Sequence, residues 1–131
     1  MILESDNIRL NHKPAEVFAF VSNPANLGIL MPDQVINWKA TSNGCSFTIQ
    51  GMTDLELEVK DNRPDSFFSM TPKGRTPFPF TLAVRIEEAG TESQVVFFID
   101  ADLNPMMAMM ARRPLLNLVQ IMAKKLAQTT F

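Results

Sequence analysis

The stretch that decides the fold lies at the C-terminus and reads LNPMMAMMARRPLLNLVQIMAKKLAQTTF, residues 103–131. Its apolar residues recur at the spacing of one helical face, which predicts a single long helix. That face contains Ala108, Ala111, Leu115, Leu118, Val119, Met122 and Leu126. A one-faced helix has to cover something apolar, and a sheet is the expected partner. Pro114 removes a backbone hydrogen bond, so we predict a kink or a split in the helix there.

The first turns of this helix depart from the one-faced pattern. Met106, Met107, Met109 and Met110 surround the helix with flexible apolar side chains, and no single packing face can use all four. Two interpretations remain open. The segment is either a lid over the mouth of a cavity or the interface of a homodimer.

Upstream of the helix the apolar period is mostly that of β-strands. Residues 2–11 are predicted to form one strand, and two short helices follow that start at Pro14 and Pro24. Further strands are predicted at residues 35–41, 45–50, 53–60, 66–71, 78–86 and 94–103. Short connections make the sheet mostly antiparallel. The chain is therefore predicted to be α+β and one domain, residues 1–131, with about six to seven strands wrapped around the C-terminal helix.

Composition excludes several classes of protein. The formal charge is −2 and no basic stripe is interleaved with aromatic residues, so no nucleic-acid binding is expected. Cys45 is the only cysteine, which rules out an intramolecular disulfide and favours the cytoplasm. The first residues lack the pattern of a signal peptide. Charges interrupt every apolar run, so stable membrane insertion is not expected.

Residues that could carry chemistry are few. His12 is the single histidine and is expected to be an exposed loop residue, while Cys45 is expected to be a buried small hydrophobe. One histidine and one cysteine cannot build a usual zinc site, and no phosphate-binding loop is present. Strand alternation puts the acidic residues Asp54, Glu56 and Glu58 on the outer face. We therefore predict no catalytic residue, no metal site and no cofactor.

Three local signatures resemble the START-like, helix-grip superfamily, which includes birch-pollen-allergen-like proteins, polyketide cyclases and lipid-transfer domains. The signatures are Pro14-Ala-Glu-Val-Phe18, Asn23-Pro24-Ala-Asn-Leu27 and Met31-Pro32, each near the start or end of a predicted element. The resemblance implies a curved sheet gripping the C-terminal helix, with an apolar cavity between them. Lys13 departs from the family pattern because it replaces a small polar cap before the first helix.

The resemblance and the alternation of the strands together predict a site for a small apolar or amphipathic molecule. The ligand-binding residues are predicted to be Phe47, Ile49, Leu57, Met70, Phe80, Leu82, Phe97, Ile99, Met107, Met110, Leu118 and Met122. One alternative is a cyclase- or aromatase-like enzyme that uses the same cavity. Another is a co-chaperone-like interaction module, which would use Val96, Phe98 and the methionines as a docking or dimer surface.

Overall fold

An antiparallel sheet carries two short helices and one long helix in the computed structural model, which describes residues 1–51 and 53–131. In chain order the elements are β1 (Ile2–Glu4), β2 (Ile8–Leu10), α1 (Pro14–Val21), α2 (Pro24–Ile29), β3 (Val35–Thr41), β4 (Gly44–Ile49), β5 (Thr53–Arg63), β6 (Phe67–Pro72), β7 (Phe80–Ala89), β8 (Glu92–Ala101) and α3 (Pro105–Gln128). The predicted α+β architecture, a curved sheet with a long C-terminal helix, is confirmed.

The sheet is a meander of six strands, and the first two strands of the chain pair at one edge of it. Strands β3 to β8 pair in sequence, and β1 and β2 both pair with β8 at the far side. All pairings are antiparallel, as expected from the short connections. The described part of the chain contains eight strands, one more than the upper predicted number, because the first predicted strand is divided in two.

Ser5 explains the division of that strand. Its backbone N–H donates to the carbonyl of Phe97 at 2.8 Å, while its hydroxyl oxygen accepts a hydrogen bond from the Phe97 N–H at 3.0 Å. The side chain thus takes the place of a backbone carbonyl, and the chain leaves the strand geometry without an unpaired buried donor. The prediction of one continuous strand over residues 2–11 was wrong for this reason.

The helix starts follow ordinary capping chemistry. Asn23 and Asn104 each precede a proline, and their side-chain oxygens accept from the N–H groups of Ala25 and Met107. At α1 the backbone N–H of Lys13 donates to the carboxylate of Glu16, which compensates in part for the missing polar cap.

Helix α3 runs without interruption through Pro114 and is not split there, contrary to one of the two predicted outcomes. Its C-terminal half packs on the sheet, and the buried side chains are Val119, Met122, Ala123 and Leu126. The helix contacts β8, β1 and β2. None of residues 105–114 is buried, so the first turns contribute little to the core. Among the described residues no helix is long and apolar enough to span a membrane.

A β-bulge in β3 changes which side chains reach the inner face. Ile36 pairs with Thr48 and Lys39 pairs with Ser46, so two residues, Asn37 and Trp38, stand opposite Phe47. Asn37 adopts a positive φ of 58°, in the left-handed region that asparagine tolerates better than most residues. As a result Trp38 lies on the same face as Phe47.

Candidate functional site

The space between the sheet and α3 is almost completely filled. A void of about 10 Å³ remains there, which is at the lower limit for one water molecule. It is lined by Leu27, Phe68, Met70, Leu82, Ala83, Val84, Phe97 and Met122. In this conformation side chains occupy the region where the sequence predicts a ligand.

A larger, open cleft lies across β3, β4 and β5. Its volume is about 680 Å³, within the range of small-molecule sites, which runs from about 300 to 1,000 Å³. It is lined by Asn37, Trp38, Lys39, Ser46, Phe47, Thr48, Asp54, Leu55, Glu56, Lys73, Gly74 and Arg75. The last three belong to the connection between β6 and β7, which borders the cleft at one side.

The apolar part of the cleft is formed by Trp38, Phe47 and Leu55. The rings of Trp38 and Phe47 are stacked, with centroids 5.1 Å apart and planes inclined by 16°. The indole N–H of Trp38 donates to the carbonyl of Pro24 at 3.0 Å, which fixes the ring against α2. Two contacts therefore hold the largest aromatic side chain of the site in place before any ligand binds.

The polar part of the cleft includes a chain of hydrogen bonds across three strands. The Asn37 amide donates to the hydroxyl of Thr48 at 3.3 Å, and that hydroxyl donates to the Asp54 carboxylate at 2.7 Å. Exposed cations, Lys39, Lys73 and Arg75, and exposed anions, Asp54 and Glu56, complete the lining. Thr48, Asp54 and Glu56 alternate with Phe47 and Leu55 along their strands, so they lie on the outer face of the sheet, opposite the apolar surface.

The predicted site residues fall into four groups. Phe47 lines the open cleft, whereas Met70, Leu82, Phe97 and Met122 line the small void. Of the others, Leu57 and Ile99 are buried in the core, and Ile49, Phe80 and Leu118 are half-buried and pack against it. Met107 is half-buried and Met110 is exposed at the start of α3, away from the core.

The sequence predictions did not include Trp38, Leu55 or residues 73–75 as site residues. Simple alternation fails at Trp38 because the bulge at Asn37 shifts the phase of the strand by one residue. The one available signal was the presence of a single tryptophan in a strand otherwise rich in polar residues. The connection at residues 73–75 carries no motif that would have placed it beside β5.

The sulfur and imidazole groups do not form a reactive pair in the described geometry. Cys45 is buried, and desolvation raises the pKa of its thiol to about 12, so the nucleophilic thiolate is disfavoured. His12 was expected to be an exposed loop residue, but it is half-buried and its ring stacks on Phe131 at 4.1 Å. A hydrogen bond from His12 and another from the Lys13 backbone lower the pKa of Glu16. Within residues 1–51 and 53–131, no cluster of three or more His, Cys, Asp or Glu could hold a metal ion.

The expected docking surface at Val96 and Phe98 is only partly exposed. Val96 is buried, and the ring of Phe98 lies under the guanidinium of Arg85, 5.5 Å from its centroid. A cation–π contact with Arg85 therefore covers part of the Phe98 ring. The most exposed large apolar side chains lie instead at the start of α3.

Comparison with solved structures identifies the same fold in proteins of very different sequence. A protein from Thermus thermophilus superimposes with a TM-score of 0.70 at 11% identity, over 98% of this chain and 95% of that one. The protein XoxI from Bacillus cereus gives 0.69 at 12% identity, over 97% and 93%. A conserved protein from Geobacillus kaustophilus gives 0.66 at 16% identity, over 98% and 93%.

These likenesses extend over nearly the whole chain and are compatible with a helix-grip fold. At such low identity they describe the fold alone and carry no function. No protein family model matches the sequence, and no curated protein matches it either.

Proposed function

We propose that the protein binds a small amphipathic molecule in the open cleft across β3, β4 and β5. The observation that carries this proposal is the stacked pair of Trp38 and Phe47, which is held at the border of a cleft of about 680 Å³. Phe47 is buried and Trp38 is half-buried, so the ligand would contact the exposed part of the indole. Because that ring is already fixed, binding costs little side-chain entropy.

The charged lining supports a ligand that is amphipathic and not purely apolar. Lys73 and Arg75 are exposed in the connection that borders the cleft, and they offer donors to a carboxylate, sulfonate or phosphate group. The Asp54 carboxylate already accepts a hydrogen bond from the Thr48 hydroxyl. The cations are therefore the charged groups of the lining that we expect to bind a polar group of the ligand. An apolar body with one anionic group is therefore the ligand that we propose.

Membership in the START-like superfamily is part of the same proposal. The three signatures near α1, α2 and β3 support it, and so does the compatibility of the fold with a helix grip. In that superfamily the ligand would lie between the sheet and α3. Here the void at Met70, Leu82 and Met122 is about 10 Å³, so binding at that position requires the lining side chains or the helices above them to move. The cleft beside Trp38 requires no such movement.

Trp38 makes the proposal directly measurable, because it is the only tryptophan in the chain. Titration with anilinonaphthalene sulfonate, an aromatic ring system with one anionic group, should quench Trp38 emission by energy transfer and saturate at one site. Oleate should then compete with the dye. Absence of saturable quenching at a large excess of dye would contradict the proposal.

Two double variants with the same change of charge test whether the dye binds in the cleft. Lys73→Glu combined with Arg75→Glu reverses two charges at the cleft and should weaken dye binding by about tenfold or more. Lys60→Glu combined with Arg63→Glu makes the same change on exposed residues of β5 that do not line the cleft. Equal affinities of the two double variants would contradict a site in the cleft.

A further inference from the structure

The most exposed large apolar side chains of the described residues are at the start of α3. Met106, Met109 and Met110 expose 74%, 85% and 76% of their surface. These fractions are unusual for methionine, which is normally among the residues found inside proteins. The three side chains are also neighbours, so they form a continuous apolar surface and not isolated exposed residues.

Helical spacing places these methionines on one face together with a cation. Met106, Met109, Met110 and Arg113 occupy positions i, i+3, i+4 and i+7 of the helix, and Arg112 follows one turn after Met109. Both arginines are exposed. We call this set of five residues the Met-Arg face. It points away from the sheet, since none of residues 105–114 is buried.

The charge of α3 indicates what kind of surface would cover the Met-Arg face. Residues 105–128 contain two arginines, two lysines and no acidic residue, although the whole chain has a formal charge of −2. The methionines would contact an apolar layer, and the arginines beside them would bind anionic groups at the border of that layer. A bilayer with anionic headgroups has that arrangement.

A second copy of the chain fits this face less well. Parallel two-fold pairing of this helical face with itself would bring Arg112 and Arg113 towards the same residues of the other copy, where like charges oppose association. Antiparallel pairing centred on Met109 and Met110 would instead place the charged Arg113 against the apolar Met106 of the other copy. The face is also convex, because no neighbouring element flanks the first turns of α3 closely enough to bury a side chain. A convex apolar helix can enter a layer of acyl chains, whereas it offers no groove to a peptide.

We propose that the Met-Arg face docks the protein reversibly on anionic lipid surfaces. The methionine side chains would enter the border between headgroups and acyl chains, and Arg112 and Arg113 would bind lipid phosphates. The flexible, unbranched methionine side chain suits an environment without fixed shape. This proposal does not depend on the cleft or on its ligand.

Co-sedimentation with vesicles tests the proposal. The protein should sediment with vesicles of phosphatidylcholine mixed with phosphatidylserine, much less with phosphatidylcholine alone, and less as salt is added. Met109→Ser combined with Met110→Ser should lower the partition coefficient by at least roughly tenfold. Arg112→Gln combined with Arg113→Gln should lower it by roughly 30-fold at low ionic strength.

Control variants remove similar side chains outside the Met-Arg face. Ile29→Ser removes an exposed side chain, 61% accessible, from α2, and Lys13→Gln combined with Lys60→Gln removes two exposed charges outside α3. Both controls should bind vesicles like the wild type. All of the variants change exposed residues, so their melting temperatures should match that of the wild type.

Three results would overturn the proposal. The first is sedimentation with mixed vesicles no greater than with phosphatidylcholine alone. The second is equal binding by the Met109→Ser, Met110→Ser variant and the wild type. The third is a wild-type dimer in light scattering that this double variant converts to a monomer, since that would show a second copy covering the Met-Arg face.

Discussion

Gly28 lies directly against the indole of Trp38: a Cβ atom at position 28 would be only 2.5 Å from Cδ1 of Trp38. This contact allows α2 to approach β3 so closely that Pro24 can accept the indole hydrogen bond. The position of the tryptophan at the cleft therefore depends on the absence of a side chain in the neighbouring helix.

Gly28→Ala should destabilise the protein and change the environment of Trp38. Overpacking at such a contact typically costs about 1–3 kcal/mol, against about 1 kcal/mol gained from the higher helix propensity of alanine. Urea denaturation followed by Trp38 emission measures both effects. For a control, the cost of Gly28→Ala is measured again in a Trp38→Ala background by circular dichroism, where the ring atoms nearest to position 28 are absent and the cost should fall. The same cost in both backgrounds would contradict this explanation.

Ser5→Ala should lower the free energy of unfolding by about 1–3 kcal/mol. Ser5 is only 7% exposed, and its hydroxyl is the acceptor for the Phe97 N–H, which alanine would leave buried and unpaired. Ser66→Ala is a suitable control, because its hydroxyl bonds to the Arg63 carbonyl at an exposed turn. Equal urea midpoints for the two variants would be incompatible with the proposed role of Ser5.

Leu57→Ala should cost about 2–5 kcal/mol, because the Leu57 side chain is buried in the core of the sheet. Glu56→Ala, at the exposed neighbouring position of the same strand, should change stability by less than about 0.5 kcal/mol. Denaturant titration of both variants makes the comparison. A loss at Leu57 as small as that at Glu56 would show that this part of the inner face is not packed.

The Cys45 thiol should be unreactive towards a disulfide reagent at neutral pH until the protein is unfolded. Burial raises its pKa from 9.0 to about 12, which favours the neutral thiol in the folded state. Because the folded pKa is the higher one, this contribution to stability is complete below pH 9.0 and is lost as pH rises towards about 12. Cys45→Ala should lack that alkaline loss, as measured by urea denaturation at increasing pH. Rapid labelling of the native protein would contradict the assignment.

The sequence by itself determined the order and type of the elements, because hydrophobic period and capping residues are local properties. The spacing of Leu115, Val119 and Met122 indicated the buried face of α3, and the alternation around Leu55 and Leu57 indicated one buried sheet face. Prolines following Asn23 and Asn104 marked two helix starts, and both asparagine side chains cap those helices in the structure.

Tertiary structure alone decided the features that depend on contacts between distant segments. Ser5 divides the first strand only because Phe97, far along the chain, supplies the hydrogen-bonding partner. Trp38 reaches the inner face only because the bulge at Asn37 forms against β4. The volume of the void beside Met122 is what the packed side chains leave unfilled, and it depends on how all of them fit together. A pattern of apolar residues in the sequence therefore identifies a core but does not say whether space is left within it.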